Sequence, residues 1–249
     1  MREITMDVFF DELVKLLDKL YDKEQKNIEE AAKICTESIQ QGGVIHVFGS
    51  GHSIGFGMEM QNRIGSLACI HTIDTGDFVL KGKFTLEEFK DPNNIFERRP
   101  GIADQLYDLY TIHPSDAFII ISNSGINGVV IDMAITAKQR GHKVIVVTSW
   151  QHTNAEESRH PSGKKLYEMG DVVIDNCGPQ GDALIKTDGV EKICSVSSIT
   201  GAFIAQTIET EICRMMQESG QEAPLFWDEL LPEAREHNDK LKAQYQGRV

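Results

Sequence analysis

Apolar residues recur at helical spacing over residues 6–39, at Phe9, Phe10, Leu13, Leu16, Leu17, Leu20, Ile28, Ala31, Ala32, Cys35 and Ile39, and the run stops at Gly42 and Gly43. The spacing predicts one long or bent helical arm, too long to belong wholly to a compact α/β unit. Its apolar stripe needs a surface to cover it, and a second subunit is the expected one. Short runs rich in Val and Ile follow at 44–48, 68–73, 116–122, 143–149 and 171–176. They lack the alternation of a strand with one wet face, so they read as buried strands. Helical patterns separate them at 53–65, 102–112 and 127–140. Alternation of this kind predicts right-handed crossovers and an α/β, doubly wound parallel sheet. A polar insertion over 76–100 interrupts it. A long helix over 195–218 and a charged helix from 228 to about 245 close the chain. The expected organisation is a helical arm (1–43), a ligand-binding domain (44–220) and a helical tail (221–249).

With 249 residues, 41% of them hydrophobic, the chain can bury roughly three quarters of its unfolded surface without a disulfide or structural metal. Its five cysteines, at 35, 69, 177, 194 and 213, are scattered and show no C-x-x-C spacing. They read as reduced thiols, buried as small hydrophobes, in a cytoplasmic protein. The amino-terminal "MREITMDVFFDELVK" lacks the apolar run of a signal peptide, and nowhere do eighteen apolar residues stand together. A net charge of -13 argues against nucleic acid and against an anionic membrane as partners. It also disfavours anionic ligands, so a phosphate needs local donors strong enough to outweigh the overall field.

Two strand ends offer such donors. "VIHVFGSGHSIG" (44–55) places Gly49 and Gly51 where backbone can approach a ligand closely, Ser50 and Ser53 as hydroxyls, and Ser53 where it can cap the next helix. "SNSGIN" (122–127) supplies Ser122, Asn123, Ser124, Gly125 and Asn127 just before another helix. Capping alone explains either loop singly. Both loops on the first and third strands of one sheet predict a shared anion site where the winding reverses. A dinucleotide fold is the competing reading, with Asp74 as the ribose acid, but counting from Gly49 gives G-x-G-x-x-x-G, one residue too long. No Gly-Lys-Ser/Thr follows the glycines, so a Walker A loop is excluded.

"GSGHS" after the first strand, "IIISNSGINGVVIDMAITAKQRGHKVIVVTS" over the third and fourth, and a Ser-rich approach to the long last-domain helix together resemble the sugar isomerase (SIS) domain over about residues 40–215. Within that family the chain is similar to a group with "G-x-G-H-S", "S-R-H-x-S-G-K", "G-D-A" and "T-G-A-F" segments. It is more distantly similar to phosphoheptose isomerases and N-acetylmuramic acid 6-phosphate etherases. The resemblance implies a flavodoxin-like five-stranded sheet, a homodimer or homotetramer with sites shared between subunits, and a sugar phosphate as small-molecule ligand. It assigns phosphate contacts to Ser122 and Ser124, further polar contacts to Asn123 and Asn127, and sugar-facing hydroxyls to Ser50 and Ser53.

Isomerising an aldose phosphate needs a base, an acid and help with ring opening, which carboxylates and imidazoles supply without metal or cofactor. Zinc is not expected, because the His and Cys pairs at 69/71 and 35/46 have neither the spacing nor the ligand count of a known site. Glu59 is the first candidate base, about 9 Å beyond Ser53 along a helix; an ion pair with Arg63 four residues on is its structural alternative. The position at which heptose isomerases carry a helix carboxylate falls at Arg63, which counts against heptose isomerisation itself. His52 lies inside the ligand loop. Glu209, with Glu211 as neighbour, is a further candidate on the last long helix. Arg159, His160 and Lys164 of "SRHPSGKK" read as a solvated loop, and Asp182 has no assigned role. The expected function is a sugar-phosphate isomerase, with an amino-sugar-phosphate etherase or a non-catalytic sugar-phosphate sensor as alternatives.

Overall fold

A computed structural model describes residues 4–95, 98–99, 101–189 and 191–249. In it the arm is one unbroken helix, α1 (Met6–Gln40), opened by the Thr5 hydroxyl, which accepts from the Val8 amide at 3.2 Å. From Leu16 onward its stripe packs within the chain: Leu16, Leu20, Ile28, Ala31, Ala32, Cys35 and Ile39 are buried. Met6, Phe10, Val14 and Tyr21 are exposed. Phe9, Leu13 and Leu17 also pack against this core while half-buried, so the covering surface is supplied within the chain along most of the stripe and Phe10 is the stripe residue left exposed.

The next elements are β1 (Ile45–Gly49), α2 (Ile54–Met60), β2 (Ile70–Ile73), α3 (Asp77–Leu80), α4 (Leu86–Phe89), α5 (Ala103–Tyr107), β3 (Ala117–Ile121), α6 (Gly128–Gln139), β4 (Lys143–Thr148), α7 (Trp150–Ala155) and β5 (Val172–Asp175). The five strands are parallel in the order β2-β1-β3-β4-β5. The chain thus winds outward from β1 in one direction and from β3 in the other, which opens a crevice at their carboxyl ends. Ile45, Val47, Ile119, Ile121, Ile145 and Val147 face one core with α1 and α2, while Phe48, Phe118, Ile120, Val144 and Val146 face another with α5 and α6. Both faces being dry explains the predominantly apolar strand sequences.

Beyond β5 come β6 (Ala183–Lys186) and β7 (Lys192–Ser195), an antiparallel hairpin apart from the main sheet, then α8 (Ser197–Glu218) and α9 (Ala234–Gln244). Helix α8 packs along α1 in the first core. The sequence reading places no strands in this segment, and the hairpin leaves Cys194 exposed, correcting the expectation that all five thiols are buried. The insertion carries α3 and α4 rather than a bare loop. Helix α2 is shorter than the predicted 53–65, because Gln61 turns to extended geometry and Asn62 takes a left-handed φ of 56°.

A buried polar chain closes the amino-terminal end of the sheet. Asp116 accepts from the Val44 and His113 amides, at 2.8 and 2.7 Å, and from Arg248 of the tail. His46 Nε2 lies 3.1 Å from the same carboxylate, and its Nδ1 lies 3.0 Å from Nδ1 of His71. A carboxylate only accepts, so His46 carries its proton on Nε2 and His71 donates from Nδ1. Burial lowers the His71 pKa to about 3, the neighbouring His46 adding to the effect.

Candidate functional site

The β1 strand runs into a single tight turn, Gly51–Ser53, before α2. At Gly49 a Cβ would stand 2.8 Å from the Ser53 carbonyl group, so only glycine lets the chain fold back this closely. The turn lifts exposed His52 and half-buried Ser53 to the carboxyl edge of the sheet. Ser53 makes no side-chain bond to the following helix, which corrects the expected cap. Ser50 begins the turn, its carbonyl accepting from the Ser53 amide at 3.2 Å.

The β3 turn is braced from below. The Ser122 hydroxyl is buried and accepts from the Gly125 amide at 3.1 Å, while Thr148 Oγ1 donates to the Ser122 carbonyl at 2.7 Å. Gly125 has a φ of +63°, and a Cβ there would meet the Thr148 and Thr153 hydroxyls at 2.9 Å. Above this base Asn123 is fixed on both sides. Its Oδ1 accepts from Asn176 Nδ2 at 2.9 Å, and its Nδ2 lies 3.3 Å from Nδ1 of His152. Asn176 is itself held by the Gly178 amide at 2.8 Å.

Helix α8 supplies the third wall. Asp182, in left-handed geometry at φ 69°, reaches across from the start of the hairpin to accept from the Ser197 amide and the Ser197 hydroxyl, both at 2.8 Å. A carboxylate from fifteen residues upstream thus caps α8. One cleft is lined by His52, Ser53 and Phe56 from the β1 loop and α2, by Asn123 and Asn176 from the strand ends, and by Ser197, Ser198 and Gly201 of α8, over a floor of Ile121 and Val147.

The structure therefore gathers His52, Ser53 and Asn123 of the expected residues. Ser122 lies beneath them, and Ser124 is half-buried outside the cleft lining. Asn127 precedes α6 without capping it, its Oδ1 accepting from Arg159 Nη1 at 2.9 Å. Glu59 pairs with Arg63 and accepts from Gln206 Nε2 at 3.2 Å. Glu209 is buried against the Leu67 amide at 3.2 Å, and burial pushes its carboxyl up to about 7, with the charge of Glu59 adding to the effect and the Leu67 amide opposing it. Glu211 pairs with Arg214 at 2.7 Å. None of these three carboxylates lines the cleft. Asp74, the candidate ribose acid, instead accepts from the Gly76 amide at 2.7 Å within its own turn.

Asn176, Ser197, Ser198 and Asp182 are residues of this region to which the sequence reading gives no role. The hydroxyl run at the start of α8 was a usable signal for two of them. Asp182 stands in the "G-D-A" segment, but its role is not readable there, because its cap on Ser197 crosses the whole hairpin.

The chain belongs to the SIS domain family, whose model matches residues 8–149. Its relatives at higher identity are UPF0309 proteins. It is 35% identical over 248 residues to one from Caldanaerobacter subterraneus, covering 98% of each chain. It is 36% identical over 242 residues to one from Listeria monocytogenes, covering 97% of this chain and 96% of the relative. Among solved structures, a phosphoheptose isomerase from Neisseria gonorrhoeae superimposes with a TM-score of 0.55 at 16% identity, over 85% of this chain and 96% of that one. The phosphoheptose isomerase from Francisella tularensis gives 0.54 at 16% identity, over 85% and 100%. At that identity the likeness is one of fold.

Proposed function

We propose that the cleft binds a phosphorylated sugar and that the protein interconverts its aldose and ketose forms by general acid and base catalysis. The observation that carries this reading is convergence: hydroxyl and amide side chains from Ser53, Asn123, Ser197 and Ser198 line one cleft at the reversal point of the sheet, beside the imidazole of His52. Those groups can accept and donate to sugar hydroxyls, while the β3 turn with Ser122, Ser124 and Gly125 is the candidate phosphate cradle. In the reaction a base removes the proton on the carbon beside the carbonyl, its electron pair forms the enediol double bond, and the carbonyl oxygen is protonated. Return of a proton to the neighbouring carbon, with the other hydroxyl of the enediol giving up its proton as its oxygen forms the new carbonyl, completes the exchange. His52 is the titratable side chain in the cleft lining and is assigned to this proton transfer, with Glu59, paired with Arg63 outside the lining, as the carboxylate alternative.

We read the active form as a homodimer or homotetramer, with Met6, Phe10, Val14 and Tyr21 of α1 available to a second copy. The cytoplasm, which keeps thiols reduced, suits the five unpaired cysteines. Among the described residues no helix is long and apolar enough to cross a membrane.

The test incubates the pure protein with a panel of aldose and ketose phosphates in deuterated water and follows the proton beside the carbonyl by NMR. Exchange into at least one of them is expected, and exchange into none contradicts the catalytic reading.

A further inference from the structure

The segment "SRHPSGKK" (158–165) is bound to the β3 turn rather than free in solvent. The Arg159 amide donates to the Ile126 carbonyl at 3.0 Å, and the Leu166 amide donates to the Gly125 carbonyl at 2.9 Å. The Arg159 guanidinium donates to Asn127 Oδ1 at 2.9 Å. His160 fastens the segment to α6: its Nε2 lies 2.7 Å from Asp132 Oδ1, and its Nδ1 lies 2.7 Å from the Ser162 hydroxyl. Because Asp132 can only accept, His160 carries a proton on Nε2 and its ring is held in one orientation. The backbone of the loop is thereby fixed along residues 125–127, with the Arg159 guanidinium directed at the Asn127 side chain.

Among the described residues that arginine has no carboxylate partner; Arg98 and Arg235 share this condition, and of the three Arg159 is the one bonded to the β3 turn segment. Arg63, Arg140, Arg214 and Arg248 each pair with a carboxylate. Arg159 is exposed, and among the described residues it forms no ion pair. In a chain with 38 acidic and 25 basic residues, a guanidinium anchored by an amide oxygen and left without a carboxylate keeps its remaining donors for an anion from outside. Its planar fork suits a phosphoryl group better than an ammonium would.

We propose that Arg159 is the charge-selecting residue of the site, its guanidinium meeting the phosphoryl group at the β3 turn, so that phosphate monoesters bind and the same sugars without phosphate do not. The inference rests on the sugar-phosphate reading above and adds the residue that enforces it. It also accounts for how an acidic molecule accepts a dianion: the fixed cation offsets locally what the net charge opposes at long range.

Isothermal titration of hexose and heptose phosphates, and of their unphosphorylated parents, into wild type, Arg159→Gln and Arg159→Lys provides the test. Wild type binds at least one phosphate. Arg159→Gln weakens that binding about 10-fold or more, the loss expected for one charge-assisted pair, and leaves any binding of the parent sugar unchanged. Arg159→Lys, which keeps the charge but not the fork, falls between them. The salt dependence of binding is shallower in Arg159→Gln than in wild type. Wild type that binds no phosphate at all contradicts the site reading itself. Wild type that binds, with Arg159→Gln equal to it in affinity and salt dependence, overturns this inference alone.

Discussion

Glu209 shows how burial changes the meaning of a residue. Read as one acid on a helix it is a candidate base; with 5% of its surface exposed and its carboxyl pushed up to about 7, it is a proton-holding part of the core. The unfolded value is about 4.3, so between that pH and about 7 the folded chain holds a proton that the unfolded chain has released. Stability is accordingly lost as pH rises through this window. Glu209→Gln removes the loss: its melting temperature should exceed that of wild type at pH 8, and the difference should shrink toward pH 4. An offset of equal size at both pH values contradicts the assignment. Asp116 has the opposite sign. Burial disfavours its ionised form, but His46, Arg248 and the amides of His113 and Val44 outweigh burial and hold its carboxyl well below the usual range. The resulting stability is present above about pH 4 and lost as pH falls. Asp116→Asn strips Arg248 of its counter-charge in a buried setting and should cost roughly 3 kcal/mol, read as a lower urea midpoint.

At the level of elements, the cap on α8 joins stability to the cleft. Asp182 holds the Ser197 amide and hydroxyl, so Asp182→Ala should cost about 1 kcal/mol of stability by thermal or chemical denaturation and should also weaken ligand binding, since Ser197 lines the cleft. A variant as stable as wild type would show the cap to be dispensable. The contrast between elements explains what the sequence could disclose. The five parallel strands are legible in the sequence because both faces of the sheet are largely dry, and each strand is a short run rich in Val and Ile, interrupted in β1 and β2 by the buried His46 and His71. The β6–β7 hairpin is hard to read from the sequence although Asp188-Gly189 is a hairpin turn signal, because four-residue strands with mostly exposed side chains give little periodicity. Helix α2 was overlong in the reading because Ile64 continues the apolar spacing, yet it lies beyond the left-handed Asn62 and is exposed. The loop residues Ser53 and Asn123 were legible from their strand ends. The contributions of Asn176 and Asp182 depend on chain segments meeting from a distance, which local spacing does not encode.

For the whole molecule, the charge of -13 and the proposed anion site are reconciled by topology. Winding outward from β1 and β3 leaves a crevice to which the β1 loop, the β3 turn and the start of α8 each bring uncharged polar groups, while the acidic residues Glu59, Glu209 and Asp182 are occupied by Arg63, the Leu67 amide and the α8 cap. If those three segments act as one site, their side chains must be coupled through the ligand. A double-mutant cycle on Ser53→Ala and Asn123→Ala, read by isothermal titration with the tightest-binding sugar phosphate, measures that coupling directly. The account predicts that each variant loses about 1 kcal/mol of binding free energy and that the pair departs from additivity by about 0.5 kcal/mol or more. Binding that neither substitution alters would contradict it.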